Sequence, residues 1–548
     1  MRVSKFIGPV LFIAILLLGA CSAAFGEEAA LSGSVSSAEE GAMEGVVVSA
    51  KSAAPLTVSV VTDAQGHYAF PASRLAPGHY ALAIRAGGYD LEGHAAADVA
   101  AGQSAIADLK LRKTKNLPAQ LNDAEWLASM PGPDRFKKFL LNCNECHSLH
   151  RIVASTHSAD EFLQVFPRMM HYCPCSTPTH PQPRKVARGL PPESFLRPFA
   201  EWLASVNLSE NPDFAYPLHT LPRVKGAGTR VIITEYGLAN PATEPHDVIV
   251  DRDGIIWFSE FGQQFLGRLD PKTGAVREFP IPVLREGWSL GALDLEADRD
   301  GNLWLGLQFQ AGFAKFDKAT GKVTVWKIPD AEDGSQVGMI SPAASHVDGK
   351  VWMKNVDPNT LYRLDLASLK FEPVDALKDP ATGKEIGAYG MPVDSKNNLY
   401  LLDFSSGTIG RIDAKTTALT VYHTPIPNSR PRRGRVDAQD RLWFAEYAGN
   451  AIGMLDPASG AIKEWVVPTP WSSPYDVVVD KRGDAWTASM WSDRVDRLDP
   501  KSGEIVEFPL PTKETNIRRV FVDNRSDPPT FYAGSNHAAA IIKLEPLD

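Results

Sequence analysis

The feature that most restricts the fold is a repeat. From residue 225 onward, seven aromatic residues occupy one place in a common pattern: Trp257, Trp304, Trp352, Tyr400, Trp443, Trp486 and Phe531. Their spacings are 47, 48, 48, 43, 43 and 45 residues. The clearest copy has the turn Asp253-Gly254 before the aromatic. After it come Leu266-Gly-Arg-Leu-Asp-Pro271 and the strand Glu278-Phe-Pro280. A period of this length is that of a four-stranded propeller blade, and one blade alone cannot bury its faces. Seven copies predict a closed ring of seven blades over 225–548. The last copy lacks a Glu-Phe-Pro-like strand, whereas 229–236 reads as a strand ahead of the first copy. That early strand is expected to complete the last blade and clasp the ring.

Upstream the pattern changes twice. Residues 30–113 carry short alternating apolar runs at 45–49, 56–61, 68–70, 79–84 and 105–111, separated by glycine-rich turns, the signature of a small β-sandwich. Across a polar linker the period becomes helical over 118–208. Helices are expected to begin near Asn122-Asp123, with Asp123 as N-cap, and over 135–141, 158–170 and 191–206. Pro167 should kink or shorten the third. The chain is thus expected to be multidomain and mainly β: an N-terminal sandwich, a small all-α domain and a C-terminal propeller. A length of 548 residues suits three or four domains.

Within the helical segment stands Cys143-Asn144-Glu145-Cys146-His147, a C-x-x-C-H run. Two thiols at this spacing can form thioethers to one porphyrin, and the adjoining histidine then reaches the iron as proximal ligand. This predicts covalent haem c on Cys143 and Cys146, with His147 on the iron, in a cytochrome c-like domain. The competing readings are a disulfide or a zinc half-site. Zinc would need a second ligand pair, and Cys173 and Cys175 are spaced by one residue rather than two. The sixth iron ligand is expected from the same segment, with Met169 first and Met170 second. His150, His157, His171, His180 or an open position are the alternatives. Cys173-Pro-Cys175 receives no role from the sequence.

Residues 1–26 read as an export signal: Arg2 and Lys5 precede an apolar run at 10–18 that is too short to span a bilayer. Leu18-Gly-Ala-Cys21 resembles a bacterial lipobox, which would place a lipid on Cys21, and Ala24-Phe-Gly26 offers a competing cleavage site. The expected location is the periplasm or cell envelope, with contact to a membrane only through such an anchor. A net charge of −9 without a basic block argues against nucleic acid as partner.

Two stretches carry family resemblances. Gly66-His-Tyr-Ala-Phe70 with Leu75-Ala-Pro-Gly-His-Tyr-Ala-Leu-Ala-Ile84 resembles the carboxypeptidase regulatory-like domain, which implies a transthyretin-like sandwich of structural or adhesive role. Glu244-Pro-His-Asp-Val, Trp257-Phe-Ser-Glu and Gly267-Arg-Leu-Asp resemble the virginiamycin B lyase (streptogramin lyase) family over about 229–548. The resemblance implies magnesium (Mg)-assisted opening of a lactone at the propeller funnel. Glu244 and Glu260 would act near the metal and His246 would be the base. The family also uses a second Pro-His in the preceding blade, where this chain has Asn516-Ile-Arg-Arg-Val520. The other blades place Leu293, Ser341, Tyr389, Arg432 and Tyr475 at the histidine position. Positions aligned with Glu260 are Gln308, Asn355, Asp403, Glu446, Ser489 and Ser535. Glu260, Asp403 and Glu446 are expected either to pair with Arg432, Arg433, Arg435, Arg518 and Arg519 or to line a polar funnel for a ligand.

The function expected from the sequence is an exported c-type haem protein that exchanges electrons with a redox partner protein. Its propeller would bind a partner or small molecule within an oxidoreductase system. The alternatives are a magnesium-dependent carbon–oxygen lyase acting on a lactone, or a non-catalytic binding scaffold.

Overall fold

The computed structural model describes residues 28–185, 187–329, 337–355, 359–375, 377–387 and 389–548. The export segment over 1–26, with Cys21, lies outside them.

Among the described residues the C-terminal part forms seven sheets arranged as blades. The first runs Pro245–Val250, Ile256–Glu260, Phe265–Leu269 and Val276–Pro280, each strand antiparallel to the next. In the blade around Tyr400 three strands pair, and isolated bridges from Gly390 to Leu402 and Val393 to Leu399 mark the innermost position. The last blade comprises Val520–Asp523, Thr530–Ser535 and Ala540–Pro546. Its outer strand is Val231–Gly237, paired antiparallel with Thr234 opposite Lys543. The ring is therefore clasped by a strand that precedes its first blade in sequence.

The physical basis of the repeat is an aspartate six residues before the aromatic. Asp251 accepts the backbone N–H groups of Asp253 and Ile255 through Oδ1 and the indole N–H of Trp257 through Oδ2 at 2.8 Å. The same arrangement joins Asp298 to Trp304, Asp437 to Trp443 and Asp480 to Trp486. One carboxylate closes the hairpin and satisfies an indole that would otherwise be buried without a partner.

The innermost strands share a second device. Register shifts interrupt pairing between Pro245 and Val248, Leu293 and Glu296, Pro431 and Gly434, and Pro474 and Val477. A β-bulge re-aims the residues it contains. Here the bulged pairs are His246-Asp247, Arg432-Arg433 and Tyr475-Asp476, with Asp294-Leu295 in the second blade, and nearly all are buried around the ring axis.

The N-terminal sandwich contains the expected strands, with Ala29–Ser37, Gly41–Ala42, Tyr89–Leu91 and Ala95–Val99 added and one expected run split. Ala29–Ser37 is a further strand, paired with His67–Pro71. The run over 105–111 divides into Ala105–Ile106 and Leu109–Lys113. Its second sheet does not stop at the module. Leu56–Val61 pairs with Val231–Gly237, Val58 opposite Thr234, so sandwich and last blade form one eight-stranded sheet. Each module covers the other's open edge, where unpaired backbone groups would be exposed.

Five helices lie between these parts: α1 (Asp123–Ser129), α2 (Asp134–Leu140), α3 (His150–Val153), α4 (Ala159–Met170) and α5 (Glu193–Val206). The N-cap of α1 is Asn122, not Asp123. Asn122 forms a capping box with Glu125, which leaves Asp123 inside the helix. Asp123 is 3% exposed and accepts Leu149 N–H at 2.7 Å and the amide of Asn144. It thereby staples the loop between α2 and α3. Pro167 neither ends nor shortens α4, which continues to Met170. A Ser158–Glu161 capping box and packing of Phe166 on Phe199 of α5 hold the helix across the missing hydrogen bond. The helices bury Trp126, Phe136, Phe162, Phe199 and Trp202 in the same apolar cluster as Tyr447, Tyr475, Met490 and Trp491 of the propeller.

Candidate functional site

The Cys143–His147 run follows α2 as a series of turns, and it is seated on the propeller. Tyr447 OH donates to Leu141 O at 2.7 Å, and Arg430 Nη2 donates to Asn142 Oδ1 at 3.1 Å. Asn516 Nδ2 donates to Asn144 Oδ1 at 2.7 Å, and Arg518 Nη2 to Glu145 O at 2.8 Å. Glu145 also pairs with Arg188 at 3.1 Å. Arg188 N–H is held by the Met170 carbonyl at 3.0 Å, which ties the end of α4 to the run.

Cys143 and Cys146 are half-buried free thiols, and burial pushes both up to about 12, so they stand as neutral S–H groups. Cys173 and Cys175 are bonded to each other and fully buried beside Phe261 and Leu293. They cannot supply the second half of a zinc site. Cys146 Sγ donates to the carbonyl of Cys173 at 3.5 Å. His147 Nδ1 lies 3.0 Å from Ser148 O. That contact fixes the proton on Nδ1 and leaves Nε2 as the ligating atom, the arrangement a metal-bound histidine requires.

Met169 and Met170 are both half-buried at the end of α4. His150 rests on Trp126 and His157 on Phe162, while His171 is held by Pro167 O at 2.8 Å and His180 sits in a turn with Thr177. Sequence reasoning missed His537. Its Nε2 is buried without a partner among the described residues, it lies against the Glu145 backbone, and burial lowers its pKa to about 3. Only its place two residues beyond Ser535 could have flagged it.

Beneath the run, the throat of the propeller is filled by side chains. His246 is 0% exposed. Its Nδ1 pairs with Asp247 Oδ1, and its Nε2 lies 3.1 Å from Tyr475 OH, which is 2.6 Å from Tyr389 OH. With Asp247 holding the Nδ1 proton, Tyr475 donates to Nε2 and Tyr389 donates to Tyr475. Burial lowers the imidazole to about 3, so it is neutral with both nitrogens engaged. Arg432, 2% exposed, places its guanidinium carbon 4.1 Å from the Tyr475 ring centre and 4.4 Å from that of Phe404.

Glu260 uses both carboxylate oxygens on the backbone N–H of Glu244, at 2.9 and 2.8 Å, a structural role. Among the described residues Glu244 has neither oxygen partnered, and burial raises its carboxyl to about 7. The structure thus brings Glu244 and Glu260 together but turns His246 toward Asp247 and Tyr475. Among the described residues no three His, Cys, Asp or Glu side chains converge as a metal site.

The expected pairing of Glu260, Asp403 and Glu446 with the arginines is not found. The ion pairs go instead to the bulged residues and their neighbours. Arg519 meets Asp294 at 2.8 Å, Asp247 and Glu296 at 3.1 Å and Asp476 at 3.5 Å, and Arg433 pairs with Asp294. From the bulged pairs, Asp247, Asp294, Arg433 and Asp476 enter this network. A cavity of only about 10 Å³ remains beside this network, too small for a ligand. Asp403 is spent on Ser405 and Ser406.

Glu446 is fully buried beside the Glu464 carboxyl and Ser429, and Arg430 N–H, the counterpart of Glu244 N–H, goes to Ser406 O rather than to it. Burial, then the nearby Glu464 carboxylate, raises its pKa from 4.5 to about 9. A raised carboxyl contributes stability below its unfolded value that is lost as pH climbs through the folded one. Thermal melts should therefore fall between about pH 4.5 and 9, and Glu446→Gln should flatten the alkaline part of that decline. An unchanged slope in the variant would refute the assignment.

A ring of seven blades closed by its own preceding strand is a seven-bladed β-propeller. Residues 376–546 match the virginiamycin B lyase family, and residues 30–112 match the carboxypeptidase regulatory-like domain. A catalytically inactive virginiamycin B lyase from Staphylococcus aureus, solved with quinupristin, is 22% identical with a TM-score of 0.50. That match covers 57% of this chain and 99% of the lyase. A streptogramin B lyase structure is 21% identical with a TM-score of 0.50, covering 59% of this chain and all of the other. At these identities the likeness establishes the propeller fold. No curated protein matches the chain. The family match spans the later blades and leaves Glu244, His246 and Glu260 outside it.

Proposed function

We propose that this chain is an exported c-type haem protein for one-electron transfer, with the propeller acting as the seat for its haem-carrying segment. The observation that carries the reading is the state of the C-x-x-C-H run. Both thiols are unbonded although a neighbouring cysteine pair is joined, and Nε2 of His147 is left available by the Ser148 contact. Those donors fit a haem: Cys143 and Cys146 would hold its edge and His147 its iron. Phe136 and Phe139 of α2, Phe162 and Phe166 of α4, and Phe195, Phe199 and Trp202 of α5 pack on one another as an aromatic cluster next to the run, an apolar setting of the kind a porphyrin needs. When bound, the group supplies reversible one-electron chemistry at a potential set by its axial ligands and surroundings. Met169 and then Met170 are the proposed sixth ligands, a redox protein is the proposed partner, and the periplasm or cell envelope the proposed location. A reduced-minus-oxidised visible spectrum of protein made in a host with haem-attachment machinery tests the reading. A c-type α-band is expected, and its absence would overturn it.

The family match over the later blades supports a second reading, a magnesium-assisted lyase acting on a lactone, which the sequence resemblance around the first blade would place at Glu244, His246 and Glu260. The throat argues against it, since the base lone pair of His246 is taken by Tyr475 and the run over 142–146 covers the mouth. We expect no opening of a cyclic lactone such as quinupristin in the presence of magnesium. Opening that disappears in His246→Ala would establish the lyase instead.

A further inference from the structure

The Cys173-Pro-Cys175 pair has no part in the haem reading as it stands. Both residues are fully buried, so a redox protein in solution has no access to their sulfurs in the folded chain. Their cysteine neighbour is Cys146, whose Sγ donates to the Cys173 carbonyl at 3.5 Å. The loop that carries the pair is fixed to the propeller through Gln182. Gln182 Nε2 donates to Gly262 O at 2.8 Å, and Gln182 Oε1 accepts Leu290 N–H at 2.8 Å. Gln182 O in turn accepts Cys173 N–H at 3.0 Å and the Ser176 hydroxyl at 3.1 Å.

Donors are aimed at both sulfurs of the pair. Cys175 N–H donates to Cys173 Sγ at 3.2 Å and the Ser176 hydroxyl at 3.8 Å, while Gln182 Nε2 donates to Cys175 Sγ at 3.6 Å. Disulfide sulfur is a weak acceptor, so these donors add little to the bonded pair. They favour the thiolate of a reduced pair, the species that attacks a disulfide. The two sulfurs of the attachment run, by contrast, turn to different neighbours. Cys143 packs against the helical cluster and Cys146 against Cys173. Both are free thiols, while Cys173 and Cys175 are joined.

We propose that Cys173 and Cys175 form an internal two-electron donor that returns Cys143 and Cys146 to free thiols by thiol–disulfide exchange. The purpose of the step, thiols ready for thioether formation, rests on the haem reading; the exchange itself does not. In an oxidising compartment a disulfide donor would join Cys143 to Cys146. The Cys173 thiolate then attacks Cys146 Sγ. The Cys143–Cys146 bond breaks, a Cys146–Cys173 bond forms, and Cys143 leaves as thiolate and takes up a proton. Cys175 gives up its proton and attacks Cys173 Sγ. The Cys173–Cys175 bond forms, and Cys146 leaves and is protonated in turn. One disulfide is reduced and one dithiol is oxidised, with two electrons and two protons passing between the pairs. The end state is the arrangement in the structure, with the attachment thiols free and the buried pair joined.

The test uses the full-length chain made without haem-attachment machinery and equilibrated in a glutathione redox buffer that leaves one disulfide per chain. Acid quenching, alkylation and peptide mass spectrometry locate the bond. Wild type should carry it between Cys173 and Cys175, with Cys143 and Cys146 alkylated. In Cys173→Ser/Cys175→Ser the bond should move to Cys143–Cys146, a loss of both free attachment thiols. Cys143→Ser/Cys175→Ser keeps one sulfur of each pair and should trap the Cys146–Cys173 bond. With attachment machinery and oxidised glutathione present, Cys173→Ser/Cys175→Ser should take up less covalent haem than wild type, and dithiothreitol should restore it. A wild-type bond at Cys143–Cys146, a measurement that needs no variant to fold, would overturn the inference. So would the absence of a Cys146–Cys173 bond in the trapping variant, and both results leave the haem reading intact. A trapped bond in a chain that never takes up haem would overturn the haem reading and leave the exchange standing.

Discussion

On the proposed haem reading, replacing both Cys143 and Cys146 with serine is expected to abolish covalent haem while leaving the fold in place. The two thiols make few contacts of their own: Cys143 packs at the margin of the helical cluster, and Cys146 donates one weak hydrogen bond to Cys173 O. The run is held instead by its other residues. Asn144 is fixed by Asp123 and Asn516, and Glu145 by Arg188 and Arg518. Serine preserves the volume to within one atom and adds a small polar group at a half-buried position. The circular dichroism spectrum should therefore stay close to wild type. The haem retained after acid–acetone extraction should drop from one per chain to none. Each single variant should keep one thioether and a shifted α-band. Full covalent haem in the double variant would show that attachment uses other residues.

The second large effect is expected at Arg519. This residue joins carboxylates from three other blades, Asp247, Asp294 and Glu296, and Asp476, and it is almost fully buried. Arg519→Met removes the cation and leaves those carboxylates facing one another in a low-dielectric interior. Breaking a buried charge network by deleting one partner costs about 3–5 kcal/mol, and like charges left at short range add to that. The propeller transition in calorimetry should move to distinctly lower temperature. Arg519→Lys keeps the charge but loses the fork that reaches several carboxylates at once, so it should fall between. The loss should also weaken the seat of the attachment run, since Arg518 is the adjoining residue. A wild-type transition in Arg519→Met would mean that Arg433 alone satisfies the network.

Much of the architecture was legible because it rests on periodicity. The aromatic spacing counts blades, and the missing last strand together with 229–236 pointed to the clasp seen between Val231–Gly237 and Ala540–Pro546. Four helices appeared close to their expected places because their apolar faces repeat with the helical period, while the short α3 was not expected. Local chemistry was less secure. Asn122 outcompeted Asp123 as a cap because only Asn122 precedes Glu125 by three residues, the spacing that closes a capping box. The sandwich was expected as a separate module, yet Leu56–Val61 extends the last blade. Edge pairing between sheets depends on docking geometry, and no periodicity in one strand records it.

The sequence by itself determined the ring of blades, the sandwich, the helical insert and the C-x-x-C-H run. Each follows from short-range spacing: 2 for strands, 3.6 for helices, the blade period, and the fixed reach of two thiols and an imidazole. Only the tertiary structure decided what the propeller's centre does. Bulges turn Asp247, Asp294, Arg433 and Asp476 toward the axis, His246 is engaged by Asp247 and Tyr475, and Asn516 and Arg518 bind the run over 144–145. These contacts join residues up to several hundred positions apart. Their outcome depends on which of several polar partners the packed fold holds within hydrogen-bond reach in a buried space, and that is a property of packing.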